Sequence, residues 1–291
     1  MKERQFERWH PLPQFIYFIA LIIMITIKMN PILIMLILTA GILLGVLVNR
    51  KEFVRILVRV YIPASVVAMI INPLFSHEGI TMIAYFPDGN PFTLESVIYG
   101  ISSGGMICTI LVVFFSFNKV ISADRIMYIT GKMLPATALV ISMSLRFIPE
   151  FKRHFRGVKE ADSVIDKKEN KLIKNIKLMD SMIMWSFEKS IDRSDSMRAR
   201  GYGTKKRSHF SKYDLSKKDI IYSLIMMGLL AYVLYVTLAE KIYISYYPYF
   251  VLEGSLFYMI TSCIACTLLS MLPAIDIFLE EIKWKSLQST I

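Results

Sequence analysis

PILIMLILTAGILLGVLV, Pro31 to Val48, runs on without a single charged side chain. A helix needs about 20 predominantly apolar residues to cross ~30 Å of hydrocarbon. This run is of that order, and several others along the chain match it. With 55% hydrophobic residues over 291 positions the chain is too apolar for an ordinary soluble domain, so the class it indicates is an integral membrane protein.

Working outward, a first span covers Leu12 to Ile27, and only Lys28, Met29 and Asn30 separate it from Pro31, which makes a tight helical hairpin. Lys2, Arg4 and Arg8 precede the apolar run Phe15 to Ile27 in the manner of a signal peptide. No small-residue cleavage site follows and another span begins at once, so the segment is expected to be a retained first helix. Arg50, Lys51, Arg55 and Arg59 follow the second span and mark a cytoplasmic end, and the basic N-terminus agrees.

A third span runs from about Val60 to Phe75, with Pro63 near its start, where a missing backbone N–H is tolerated. The loop Ser76 to Thr93 carries His77, Glu78 and Asp88 but no Lys or Arg, which places it outside. Within it Thr81, Ile83 and Tyr85 favour strand, and PDGNP, Pro87 to Pro91, is turn chemistry. The fourth span, about Ser96 to Phe117, holds Gly100, Ser102, Ser103, Gly104 and Gly105, small residues that let helices approach closely in lipid. A fifth covers Asp219 to about Ala239, and a Tyr-rich loop of interface anchors, Tyr243 to Tyr249, leads to a sixth, Val251 to Leu272, before Pro273. The expected fold is an all-α integral membrane protein of about six transmembrane helices, multi-pass in the cytoplasmic membrane, with both termini cytoplasmic. Its expected divisions are an N-terminal membrane region (residues 1–118), a cytoplasmic region (residues 119–218) and a C-terminal membrane region (residues 219–291).

The charge is confined to the middle. Asn118 to Lys218 holds 23 Lys and Arg against 11 Asp and Glu, and the rest of the chain is nearly neutral. In a membrane protein such a block marks a cytoplasmic segment. No aromatic-interleaved basic motif accompanies it, so nucleic acid is not an expected partner. Leu134 to Ile148 is apolar but short, holds Pro135 and is cut by Arg146, which suits an interfacial or protein-buried helix better than a span. Glu150 to Asn170 is highly charged. Beyond it Ile173, Ile176, Met179, Ile183, Phe187 and Ile191 recur at spacings of three and four, the pattern of an amphipathic helix.

Little of this chain can do chemistry. Gly131-Lys132 lacks the glycine spacing and the following Ser or Thr of a P-loop. The four histidines are scattered without zinc-ligand spacing, so neither metal nor cofactor is expected. Cys263 and Cys266, with Cys108, lie in apolar runs, where small-residue packing is the expected role. The spans carry almost no intramembrane charge, which speaks against autonomous transport. The chain is therefore not expected to be an enzyme.

What remains is Ala199-Arg200-Gly201, with Arg198 just before it. Ala permits close approach to a partner, Arg offers a planar five-donor fork, and Gly ends a helix in the left-handed conformation. The three residues equally describe a basic helix end that suits the macrodipole.

SLRFIPEF (Ser144 to Phe151), SMRARGYG (Ser196 to Gly203), the run NPLFSHEG (Asn72 to Gly79) and the final EEIKW (Glu280 to Trp284) give the chain a wider likeness. It resembles the transmembrane T component of energy-coupling factor transporters, the EcfT/CbiQ family. The resemblance implies a scaffold without ATPase activity that serves vitamin or cobalt uptake. It implies partners too: two ABC ATPase subunits, or one fused pair, and a membrane-embedded S component that binds substrate. Arg200 would enter an ATPase groove, and the stripe Ile173 to Ile191 would pack on the S component or on a crossing helix. The chain departs from the family where a first Ala-Arg-Gly belongs, reading Val164-Ile165-Asp166 instead. A stand-alone permease or membrane enzyme with a cytoplasmic site near Arg146, Arg153 and Arg156 is the alternative reading, and a lipid-binding scaffold is a third.

Overall fold

A computed structural model describes residues 9–27, 29–76, 78–85, 91–164, 171–204, 213 and 215–288. The PDGNP turn falls mostly outside them, as do Lys28, Ile165 and Asp166. Two compact units emerge, one formed by Met1–Arg125 with Tyr213–Ile291, the other by Ile126–Lys212.

In the first unit α1 (Pro11–Thr26) and α2 (Pro31–Ile56) begin alike, with Pro in the first turn and a capping side chain in front. His10 Nδ1 accepts from Leu12 N at 3.2 Å, and Asn30 Oδ1 accepts from Ile32 N at 3.0 Å. Each cap satisfies a backbone donor that the helix itself leaves unpaired. Helical structure continues from α2 through a π turn (Leu57–Tyr61) into α3 (Ile62–Phe75), broken only at Asn49, whose backbone is extended (φ −157°, ψ 86°). That single residue lets the chain fold back. Phe53 lies on Gly45, where an added Cβ would fall 2.5 Å from the ring, and the Asn49 amide donates to Glu52 at 2.9 Å.

The next helix, α4 (Leu94–Val120), shows the reversal. Along it Gly105 faces Ile34 and Val112 faces Gly41, so α2 runs parallel to it. Gly104 faces Ser65, while Gly100 faces Met69 and Pro73, so α3 runs the other way. A Cβ on Gly100 or Gly104 would come within 2.6 or 2.7 Å of a backbone carbonyl of α3, which is why the small residues stand there. Lys119 at the far end closes on Glu52 at 2.7 Å.

Before α4, β1 (Met82–Tyr85) pairs antiparallel with β2 (Pro91–Thr93), and Glu95 accepts from the backbone and hydroxyl of Thr81. The strand tendency of this loop is visible in its composition. A second hairpin is not: β3 (Ile242–Ser245) pairs with β4 (Val251–Gly254). The expected sixth span thus begins late, as α9 (Leu256–Gln288), and Pro273 lies within that helix instead of following its end. Between them α8 (Lys217–Leu238) starts with a capping box of Ser216 and Asp219.

Four helical runs among the described residues are long and apolar enough to cross a membrane: Pro31–Phe75, Leu94–Val120, Lys217–Leu238 and Leu256–Phe278. The apolar α1 is shorter, at 16 residues. The count of four reflects that Pro31–Phe75 is one helical run whose two halves are antiparallel. Core side chains from α1, α2, α4, α8 and α9 meet around Tyr17, Phe18, Leu21, Met226, Cys266 and Leu269.

The second unit holds α5 (Ala123–Met133), which begins in the first, then α6 (Pro135–Val164) and α7 (Lys171–Ala199). All of the apolar run Leu134 to Ile148 except Leu134 itself belongs to one uninterrupted α6, which continues through Pro149.

Candidate functional site

The Ala199-Arg200-Gly201 segment closes α7 in a Schellman motif. Tyr202 N donates to Met197 O at 3.0 Å, and Gly201 N donates to Arg198 O at 2.9 Å. Gly201 has φ +77°, the left-handed conformation that this cap requires and that side chains with a Cβ resist. Thr204 then folds back, its hydroxyl donating to Gly201 O at 2.7 Å. Arg198, Ala199, Arg200 and Gly201 are all exposed. The end of α7 is therefore an ordered, positively charged tip on a fixed backbone.

Behind the tip α7 pairs with α6 in antiparallel fashion. Lys174 reaches Asp162 at 2.7 Å, Trp185 stacks on His154 (4.3 Å between centroids) and on Phe147 (5.3 Å), and Arg193 binds Glu150 at 2.6 Å. The Arg193 guanidinium also lies over the Phe147 ring at 4.9 Å. Lys174, Leu178, Met182, Trp185, Lys189 and Arg193 recur every three or four residues and make up the inward face of α7. Of these, Leu178 and Met182 are buried. Near the tip the two helices part around a groove of about 690 Å³, lined on one side by Phe147 and Ile148 and on the other by Arg193, Met197 and Tyr202.

The stripe Ile173, Ile176, Met179, Ile183, Phe187 and Ile191 occupies the opposite side of α7 and stays exposed, each residue by 49% to 65%. It is not the face that meets α6. Sequence periodicity finds the outward apolar face and misses the inward one, because lysine and arginine interrupt the latter. Arg146, Arg153 and Arg156 are exposed along α6. Val164 ends α6, while the rest of the divergent first motif lies outside the described residues. Among the described residues no cluster of three or more His, Cys, Asp or Glu is placed to hold a metal ion.

A second polar arrangement, with little trace in the sequence pattern, surrounds the start of α1. Gln14, fully buried, accepts from Arg125 Nη1 at 2.8 Å, and the same nitrogen donates to Val120 O at 2.8 Å. Trp9 Nε1 donates to Asp276 at 2.7 Å and its ring stacks on Tyr222 at 4.7 Å. His10 N donates to Asp219 at 3.4 Å, and the His10 ring meets Tyr213 edge-on. A lone Gln in an apolar run and an Arg just past a span are the only signals that could have pointed to it.

Apolar helices of spanning length, together with a separate, basic helical unit, define a membrane protein. The chain matches the family described as CbiQ, cobalt transport protein, over residues 2–210, and it belongs to that family of transport components. No curated protein matches it.

Proposed function

We propose that the chain is the transmembrane T component of an energy-coupling-factor importer, passing movement of two ATPase subunits, separate or fused, to a membrane S component that carries a vitamin or metal ion. The observation that supports this best is the tip of α7, where a Schellman cap holds Arg200 exposed on a rigid backbone. A planar guanidinium so presented suits acidic side chains or carbonyls in a groove of a partner. In this reading the chain supplies no nucleotide chemistry and crosses the membrane six times with both termini cytoplasmic. The middle region, residues 119–218, is the coupling domain between two membrane regions. The exposed stripe from Ile173 to Ile191 is the surface for the S component, since apolar area of that extent needs a cover in water. The first coupling motif, at Val164-Ile165-Asp166, would meet its ATPase by a different contact, because an Asp cannot replace an Arg there.

The test is co-purification of the chain with its two ATPases. Arg200→Glu turns a charge-assisted contact into repulsion and should cost on the order of 2 to 5 kcal/mol of binding. Undiminished assembly with Arg200→Glu would remove Arg200 from the interface.

A further inference from the structure

Met82, Ile83, Ala84 and Tyr85 make up β1, and every one of them is exposed, as is Ile80 just before it. A strand that lies over a protein in water alternates apolar with polar side chains. Here no position is charged, and the one hydroxyl, on Tyr85, donates to Met82 Sδ at 3.0 Å. The hairpin is nonetheless held in place. Leu94 N donates to Thr81 O at 3.0 Å, and Thr93 Oγ1 donates to Glu78 O at 2.9 Å. The buried Glu95 accepts from Thr81 N at 3.3 Å, and a Cβ at Gly79 would fall 2.6 Å from Glu95 Oε2. The strands are thereby strapped to the first turn of α4 with their apolar side chains uncovered.

The chain itself says where this surface lies. The hairpin joins the end of α3 to the start of α4, antiparallel neighbours in apolar runs of spanning length. The β3–β4 hairpin belongs to the same end of the bundle: Ser76 Oγ and Tyr247 OH lie 3.1 Å apart, and Tyr99 packs on Tyr246 and Tyr247 at 5.2 and 5.7 Å between centroids. Tyr243 and Tyr249 are exposed there, and tyrosines collect at headgroup level. The exposed Ile70, Ile71, Leu74 and Phe75 of α3 lead in sequence into Ile80, Met82 and Ile83.

We infer that the β1–β2 hairpin is a fixed membrane-interface element: it lies at the headgroup level of the bilayer, with Ile80, Met82, Ile83 and Tyr85 reaching the acyl boundary. Its depth is bounded from both sides. Two strands leave two open edges, whose N–H and C=O groups must meet water or headgroups, so the hydrocarbon centre is excluded. A contiguous exposed apolar surface is equally unsuited to bulk water. Residues 76–93 hold no Lys or Arg, so the attraction is apolar and a zwitterionic bilayer suffices. On the topology proposed above the leaflet is the outer one. The immersion rests on α3 and α4 crossing the bilayer, not on ATPase coupling, and binding losses with Arg200→Glu leave it untouched.

Nitroxides on p-acetylphenylalanine, which leave the native cysteines in place, are put singly at Met82, Ile83 and Tyr85 of the full chain in phosphatidylcholine nanodiscs, one chain per disc. Their collision rates with oxygen and with a water-soluble nickel chelate report depth, and a label at Val67, on the exposed side of α3, is the reference for lipid. Oxygen should dominate at all three hairpin positions, by less than at Val67. With Met82→Asn and Tyr85→Asn together, the Ile83 label should pass to the chelate-dominated side while Val67 keeps its ratio. Chelate dominance at the three positions of the otherwise native chain would put the hairpin in water and overturn the inference. Low collision rates with both reagents would mean a cover of protein and overturn it too. An Ile83 ratio unmoved by the two Asn substitutions would remove the apolar side chains as its cause, and should that variant not fold, the native-chain ratios decide by themselves.

Discussion

Gly201→Ala is the sharpest probe of the α7 tip, because it leaves every charge in place and alters only the backbone preference. Gly201 has φ +77°, and a Cβ there would lie 3.2 Å from Thr204 Oγ1, a hydroxyl that can rotate away. Steric clash is thus minor and the cost is conformational, about 1 to 2 kcal/mol for an L-residue in the left-handed region. Since ~1.4 kcal/mol is a factor of ten, the fraction of chains holding the native cap falls about 5- to 30-fold relative to competing conformations. If Arg200 must be presented on that cap, the dissociation constant for an ATPase subunit, measured by titration against the chain in nanodiscs, should rise by up to the same factor. Gly201→Asn should lose less, because Asn tolerates this conformation better. Binding by Gly201→Ala equal to that of the native chain would refute the preorganised tip, and equal losses in both variants would show that Thr204 packing matters more than backbone conformation.

Other outcomes follow from the packing. Gly100→Ala and Gly104→Ala place a Cβ within 2.6 and 2.7 Å of carbonyl oxygens on α3, so each should destabilise the first unit by about 1 to 3 kcal/mol, read as a lower Tm in detergent. Trp185→Ala removes two ring stacks from the α6–α7 pair and should cost about 2 kcal/mol, seen as faster proteolysis within 135–199. Glu150→Gln breaks the 2.6 Å bridge to Arg193, but both side chains are about a third exposed, so the expected loss is below about 1 kcal/mol in the same assay.

The apolar helices were legible because hydrocarbon demands length and apolarity, and because Pro31 suits the first turn of a helix; the caps Thr93 and Ser216 went unread, so α4 and α8 start two residues ahead of the expected Ser96 and Asp219. The helix α7 was legible as an amphipathic helix ending in glycine. Its orientation was not: an apolar stripe reads as the packed face, yet α7 turns Lys174, Trp185 and Arg193 toward α6 and leaves the isoleucines outside. Long basic side chains can line such a face when each finds a carboxylate or a ring, which no count of apolar residues reveals. The β3–β4 hairpin was hidden for a related reason, since Val251 and Leu252 merged with the apolar run that follows. Contacts between positions far apart in sequence, such as Gln14 with Arg125, leave no periodic trace at all.

The reversal at Asn49 has an architectural consequence. Because α2 and α3 join through helix instead of loop, the change of direction falls on one extended residue, Asn49, ahead of the π turn. A sequence spliced in there would be felt at once along both flanks of α4, through the Gly45–Phe53 contact and the Glu52–Lys119 bridge. The three helices thus form one continuous folded unit, pinned at its reversal by the Gly45–Phe53 contact and at the far end of α4 by the Glu52–Lys119 bridge.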